Sequence, residues 1–324
     1  MLTSFRGVVQ TLPHNFTHAT MERTMLPTDI LKHDVRAMSA AQRDQFFEEG
    51  CLVLEGAIDA DWLARLRTAT SEMIDKSRTV TKSDSTFVLE EGHCAQDPRL
   101  RRLTSPVTHH PTFWEFASSS PIVDVAADVC GPDVKFYHSK LNFKWPKGGQ
   151  KFDWHQDIQA WPHTDYSPVT IGVYLDDCGP EQGPLLAVKG SHKEALRSMY
   201  DDAGNWVLRI DEDKMPENWQ DDTISMTGPA GSLALLNCRV IHGSMRNASD
   251  AMRPLLLNVY SSADSMPYAF NPIPSAYDGT VVAGQPARVA CHDPRGCELP
   301  PDWSKGYVGP WKHQETKADN ASAM

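Results

Sequence analysis

The chain has 324 residues, with 31 Lys and Arg against 42 Asp and Glu, for a formal net charge of -11 at pH 7. That length holds one large domain or two ordinary ones and buries enough surface to fold without disulfide or metal staples. With 40% hydrophobic and 23% charged residues the composition is globular, and the acidic balance excludes general binding to a phosphate backbone.

Residues 1–37 mix polar residues, His and Pro without periodicity and are expected to form an N-terminal arm. The first stretch, Met1 to Phe16, lacks the apolar core of a secretory signal. No run approaches the roughly 18 consecutive apolar residues needed to cross a bilayer. Neither a membrane nor a nucleic acid is therefore an expected partner. Residues 38–133 read as a helical support region. Ser39 opens a short helix that Gly50 stops, Cys51–Leu54 reads as a strand, and Asp59 caps a helix from Ala60 to about Lys76. Residues 83–112 are expected to be loop, where Arg99, Arg101 and Arg102 either steer an anionic substrate into a cleft or, as is commoner, form a solvated cluster offset by Glu90, Glu91 and Asp97. A third helical stretch over 113–130 is interrupted around 118–121.

From 134 to 263 the texture changes to short apolar runs between Gly, Pro and Asp turns: 135–143, 150–155, 169–175, 185–188, 231–236, 240–242 and 255–260. Such spacing predicts a sandwich or barrel. Residues 200–222 are acidic and read as an insertion between strands, and 264–324 as a C-terminal wrap. The expected architecture is a single domain, mainly β with N-terminal helices. Seven scattered cysteines without a C-x-x-C pair point to reduced thiols in a cytoplasmic protein. Oligomeric state is not legible in the sequence.

The most informative stretch is Phe152-Asp-Trp-His155-Gln-Asp157. In an extended strand, residues two apart share a face, so His155 and Asp157 project together. They supply two-thirds of a facial site of two histidines and one carboxylate, which leaves open positions on Fe(II). The bland reading of an isolated H-x-D is an ion pair. A third ligand candidate, His242, ends an apolar run, where a neutral imidazole needs a hydrogen-bond partner or a metal. Eleven residues later, Arg253 opens another apolar strand. Burying its charge is costly unless it meets an anion. The planar guanidinium suits a bidentate carboxylate, with Ser244 adding a hydroxyl. An internal pair with Asp250 or Asp264 is the alternative.

These motifs, with Phe46 to Leu54, Leu141-Asn-Phe-Lys144, Gly190-Ser-His-Lys193, His242-Gly-Ser-x-x-Asn247 and Arg253-Pro, make the chain resemble the phytanoyl-CoA dioxygenase superfamily of Fe(II)/2-oxoglutarate oxygenases, which includes ectoine hydroxylase. The resemblance implies a double-stranded β-helix, a jelly-roll and cupin-like fold. By position it implies His155, Asp157 and His242 as catalytic iron ligands, and Arg253 with Ser244 as the clamp on 2-oxoglutarate. Asn142 and Phe152 line the co-substrate in similar proteins, and Trp161 falls where relatives place an aromatic near the substrate. A strand-edge core role for Trp161 is equally open. No role attaches to Tyr137 or His138. His192 reads as structural, and His109-His110 as a solvated loop.

The implied reaction consumes O2 and 2-oxoglutarate, releases succinate and CO2, and oxidises a C–H bond of a small-molecule metabolite. Halogenases of this type replace the carboxylate ligand with a small residue. Retention of Asp157 therefore favours hydroxylation, desaturation or ring formation. A cupin-like isomerase or hydrolase using the triad without 2-oxoglutarate is the runner-up, followed by a silent binding protein of the same fold. Arg253 and Ser244 argue against the former and the intact triad against the latter.

Overall fold

Local signals decide the N-terminal half. Ser39 caps the helix Ala40–Glu49 in a reciprocal box with Gln42, and Gly50, at φ 77°, ends it by donating its N–H to Phe46. The computed structural model describes residues 27–293, 295–306 and 309–314, so the expected arm lies outside the described residues as far as residue 26, together with the stretch read for a signal. Its remainder is not a free arm. A helix over Pro27–Ile30 buries Ile30, and the buried Asp128 carboxylate accepts the N–H groups of Arg36 (2.7 Å), Ala37 (2.9 Å) and Met38 (2.8 Å). The helix Ala60–Lys76, capped by Asp59, buries Leu66, Ala69, Thr70 and Met73 at helical spacing.

Twelve strands follow one another in the described chain: β1 (Cys51–Leu54), β2 (Phe87–Leu89), β3 (Leu100–Thr104), β4 (Val134–Lys144), β5 (Phe152–His155), β6 (Val169–Tyr174), β7 (Leu185–Val188), β8 (Thr223–Met226), β9 (Leu233–Asn237), β10 (His242–Ser244), β11 (Arg253–Ser262) and β12 (Val281–Ala283). The expected loop over 83–112 is corrected: β2 and β3 pair antiparallel there and bury Phe87, Leu100 and Leu103. Two arginines inside β3 break the apolar pattern that would have marked it. The helical stretch at 113–130 resolves into Pro111–Ala117 and Ile122–Cys130, split at the expected place. His109 and His110 close the preceding short helix rather than a solvated loop.

The strands form an eight-stranded sheet ordered β1-β9-β6-β11-β4-β3-β2, with β12 also on β4, facing a four-stranded sheet ordered β5-β10-β7-β8. This is the double-stranded β-helix. Alternate residues of the large sheet serve its two faces. Leu233, Leu235, Leu256 and Tyr260 join the helices in one core, while Ala234, Leu236, Leu255 and Leu257 meet Leu185, Ala187 and Met226 of the small sheet. The insertion between β7 and β8 has a core of its own, where Trp206, Leu208 and Ile210 pack with Trp154 and the C-terminal Trp303. β10 begins at His242 instead of ending there, so His242 and Ser244 share one short strand. Cys51, Cys130, Cys178 and Cys238 are buried free thiols. Among the described residues no helix is long and apolar enough to cross a membrane.

Candidate active site

Between the sheets, β5 and β10 pair with His155 directly opposite His242, and their rings lie 4.1 Å apart. Asp157 reaches the same point by a route the strand reading did not foresee. β5 stops at His155, and Asp157 opens a 3-10 turn over Asp157–Gln159. The three potential ligand atoms nonetheless lie within 4.8 Å of one another, and all three residues are buried. His155 Nε2 is 3.6 Å and His242 Nε2 3.9 Å from Asp157 Oδ1.

The remaining atoms of the triad are already committed. Nδ1 of His155 lies 2.9 Å from the Asp153 carbonyl and Nδ1 of His242 lies 3.0 Å from that of Val240. Each Nδ1–H donates there, which turns an Nε2 lone pair toward Asp157. Thr170 donates its hydroxyl to Asp157 Oδ2 at 2.8 Å, leaving Oδ1 toward the imidazoles. Burial, reinforced by His155, pushes His242 down to about 3, so the ring is neutral. Burial opposes ionisation of Asp157, but the opposite charge of Lys140 leads the effects that hold the carboxyl well below its usual range. Two imidazoles and a carboxylate form a donor set suited to Fe(II).

Arg253, 2% exposed, opens β11 opposite Lys144 of β4. Its Nη2 donates to the Gly183 carbonyl at 2.9 Å, while Nε and Nη1 are buried without a hydrogen-bond partner. The alternative acidic partners are engaged elsewhere: Asp250 pairs with Lys147 and Asp264 accepts from Ser262. Two buried guanidinium donors thus await acceptors, and Ser244 lines the same cavity.

The eight residues given a site role from the sequence line this one cavity of about 90 Å³: His155, Asp157, His242, Arg253, Ser244, Asn142, Phe152 and Trp161. Phe152 packs edge-on against the His155 ring at 4.6 Å. Trp161 sits in a bend after the 3-10 turn, not on a strand edge, and is 5.7 Å from the His138 ring at a right angle. The cavity shares Arg101, Arg102, Pro272 and Trp311 with an outer groove of about 940 Å³, which marks the side of approach.

Sequence reasoning missed Lys140, Lys144 and Thr170, gave His138 no role and took Arg102 only as part of the basic cluster; all five also line the cavity. Four of the lining residues, His138, Lys140, Asn142 and Lys144, alternate along β4, and this period of two was the available signal. Burial, then Arg253, pushes the Lys144 ammonium down to about 6, and the group donates to the Met245 carbonyl. The basic cluster divides. Arg99 pairs with Asp97 and Arg101 with Glu90, as the offset reading held. Arg102 is instead buried, donating from Nε to Asn142 Oδ1 at 2.9 Å beneath the Trp311 ring. His192 is structural, its Nε2 3.1 Å from the Phe47 carbonyl. His110 caps its helix by accepting from Thr112 and pairs with Glu72.

Fold and site together define a jelly-roll protein whose cavity sets two histidines and a carboxylate, a candidate metal site, beside a buried arginine with two unpaired nitrogens. Its relatives agree. A profile of the phytanoyl-CoA dioxygenase (PhyH) family matches residues 46–255. A probable alpha-ketoglutarate-dependent hypophosphite dioxygenase of Stutzerimonas stutzeri is 28% identical over 273 residues, 81% of this chain and 91% of that protein. The ectoine dioxygenase of Sphingopyxis alaskensis is 26% identical over 242 residues, 70% of this chain and 77% of that protein. In fold, the chain resembles the iron-bound crystal structure of EctD from S. alaskensis, with a TM-score of 0.60 and 24% identity over 82% of this chain and 90% of that one. The chain belongs to the phytanoyl-CoA dioxygenase family, and it is an Fe(II)- and 2-oxoglutarate-dependent dioxygenase. The reading without 2-oxoglutarate is set aside.

Proposed function

We propose that His155, Asp157 and His242 hold the iron, that Arg253 and Ser244 clamp the distal carboxylate of 2-oxoglutarate, and that the cavity oxidises a C–H bond of a small metabolite in the cytoplasm. The observation that carries the assignment is the pairing, in one cavity, of two Nε2 lone pairs facing a carboxylate with an arginine whose Nε and Nη1 lack partners. Bound iron and 2-oxoglutarate supply the oxidising power, with O2 consumed and succinate and CO2 released.

Everything else is work for the protein's own side chains. The Asp153 and Val240 carbonyls and the Thr170 hydroxyl fix the ligand atoms before metal arrives, so little rotamer freedom is lost on binding. Arg253 gains two charge-assisted hydrogen bonds when a carboxylate docks, relieving two buried unpaired donors. Asn142, oriented by Arg102, and the edge of Phe152 form the co-substrate's flank. Trp161 walls the substrate side and, with the Trp311 ring over Arg102, limits water near the reacting carbon. Asp157 supplies a carboxylate where a halide would otherwise bind, so oxygenation, desaturation or ring formation is the outcome class.

The test is metal binding first. Anaerobic Fe(II) titration of His155→Ala, Asp157→Ala and His242→Ala should show each weakened by about tenfold or more, with turnover abolished. Near wild-type iron affinity in any one of them removes that residue from the ligand set. Asp157→Gly should lose hydroxylation while still taking up 2-oxoglutarate.

A further inference from the structure

Charge in the cavity does not balance once the proposed co-substrate is in place. A divalent metal, the Asp157 carboxylate, the 2-oxoglutarate dianion and the Arg253 guanidinium sum to zero, while Arg101, Arg102 and Lys144 on the same lining turn to Glu90, Asn142 and the Met245 carbonyl. Asp157 is the sole carboxylate among the described lining residues. Lys140 also faces the cavity, from the middle of β4, and its ammonium hydrogen-bonds to no described residue; its electrostatic partner is Asp157. Metal binding claims that carboxylate and leaves the half-buried Lys140 ammonium without a counter-charge on the cavity wall.

Position separates Lys140 from the co-substrate clamp. Lys144 lies opposite Arg253, whereas Lys140 lies opposite Leu257, roughly 14 Å further along the strand at about 3.4 Å per residue. Beyond it on the same face stands His138, 1% exposed. Its Nδ1 is 3.3 Å from Asn271 Oδ1, an atom that also accepts the Ile273 N–H. Nδ1–H therefore donates, and Nε2 is left as a buried acceptor without a partner. Trp161 closes this end.

Resting on the co-substrate assignment above, we propose that the substrate is a small oxyanion, a carboxylate or phosphonate, that also carries an O–H or N–H group. Its anionic head sits on Lys140, and its donor is accepted by Nε2 of His138. Trp161 stacks against the short carbon segment between them. A neutral or cationic substrate would leave Lys140 uncompensated, and one lacking a donor would leave Nε2 unsatisfied.

Anaerobic calorimetry on the Fe(II)-loaded protein tests this in two stages. 2-Oxoglutarate is titrated first; if the wild type does not bind it, the co-substrate reading fails and takes this proposal with it. Glycolate, hydroxymethylphosphonate, methylphosphonate, ethylene glycol and choline are then titrated into the loaded complex. Glycolate or hydroxymethylphosphonate should bind, and whichever is tighter identifies the head group. Methylphosphonate should be weaker than its hydroxylated analogue, and ethylene glycol and choline weaker still. Lys140→Met should weaken the oxyanion by roughly 30-fold or more, while Lys140→Arg keeps most of the affinity. His138→Phe should erase the preference for the hydroxylated phosphonate. The proposal is overturned if neither hydroxylated oxyanion binds, if the neutral or cationic probes bind as tightly, or if Lys140→Arg is as damaging as Lys140→Met. It is equally overturned if Lys140→Met weakens 2-oxoglutarate and spares the oxyanion.

Discussion

Arg253 shows how a buried charge becomes a recognition device. Its guanidinium spends one hydrogen bond on the Gly183 carbonyl and holds two nitrogens unpaired inside the protein, a costly arrangement for a structural residue. Burial lowers its proton affinity without bringing a carboxylate from the chain to its side. Loss of one partner of a buried charged pair costs about 2–5 kcal/mol. Arg253→Ala should therefore raise the half-saturating 2-oxoglutarate concentration by roughly 30-fold or more. Arg253→Lys should recover only part, because a point charge lacks the planar fork. Succinate formation against 2-oxoglutarate concentration measures both, with Fe(II) affinity held as the control that should barely move. An unchanged half-saturation in Arg253→Ala removes the clamp.

At the scale of elements, one contact ties the helical half to the small sheet's side and a second binds the helical half to itself. Gly50 ends the first long helix at φ 77°, and a Cβ there would stand 2.3 Å from the His192 ring. Both the backbone and the neighbour exclude a side chain. Gly50→Ala should cost about 1–2 kcal/mol for the left-handed conformation and about 1–3 kcal/mol more for overpacking. Adding His192→Ala should relieve the second part and leave the first, a split that urea unfolding of the single and double variants can read. The second contact is the Asp128 carboxylate, which gathers three successive N–H groups at Arg36, Ala37 and Met38. Asp128→Ala strands donors that are partly or wholly buried, at about 1–3 kcal/mol each before water returns. Limited proteolysis should then cut near residues 36–38 faster than in the wild type. Equal cutting rates show that the segment is held by other means.

Over the whole molecule, the enclosed polar interior sets the acid limit of stability. His163 is 2% exposed, donates Nδ1–H to the Trp161 carbonyl, and is pushed down to about 4 by burial. In the unfolded chain its pKa returns to about 6.5. Between those values the unfolded state binds a proton that the native state refuses, so stability falls as pH drops from about 6.5 toward 4 and is recovered on raising it. The contribution is on the order of 3 kcal/mol at 1.36 kcal/mol per unit. Urea unfolding across pH 4–7 should show a positive slope that flattens by close to one proton in His163→Gln. A variant with the wild-type slope assigns the acid sensitivity elsewhere.

Chemistry confined to short range was open to reading in the sequence alone. The capping box at Ser39, the Gly50 stop and the Asp59 cap depend on neighbours within a few residues, and they stand where expected. The eight cavity residues were also identifiable, because each belongs to a motif whose order survives in the linear chain. Tertiary structure decided what depends on partners distant in sequence. β3 could not be recognised because Arg102 points inward to Asn142, forty residues away, beneath Trp311 from the C-terminal segment. Asp157 projects beside His155 through a 3-10 turn whose Ile158 N–H is taken by the Cys238 carbonyl, and strand periodicity says nothing of that. The inner face of β4, with His138 and Lys140 beside the proposed metal site, acquires meaning only when β11 sets its register and the small sheet closes over it. Burial turns a polar alternation into a demand for partners, and burial is a property of the folded molecule rather than of any stretch of chain.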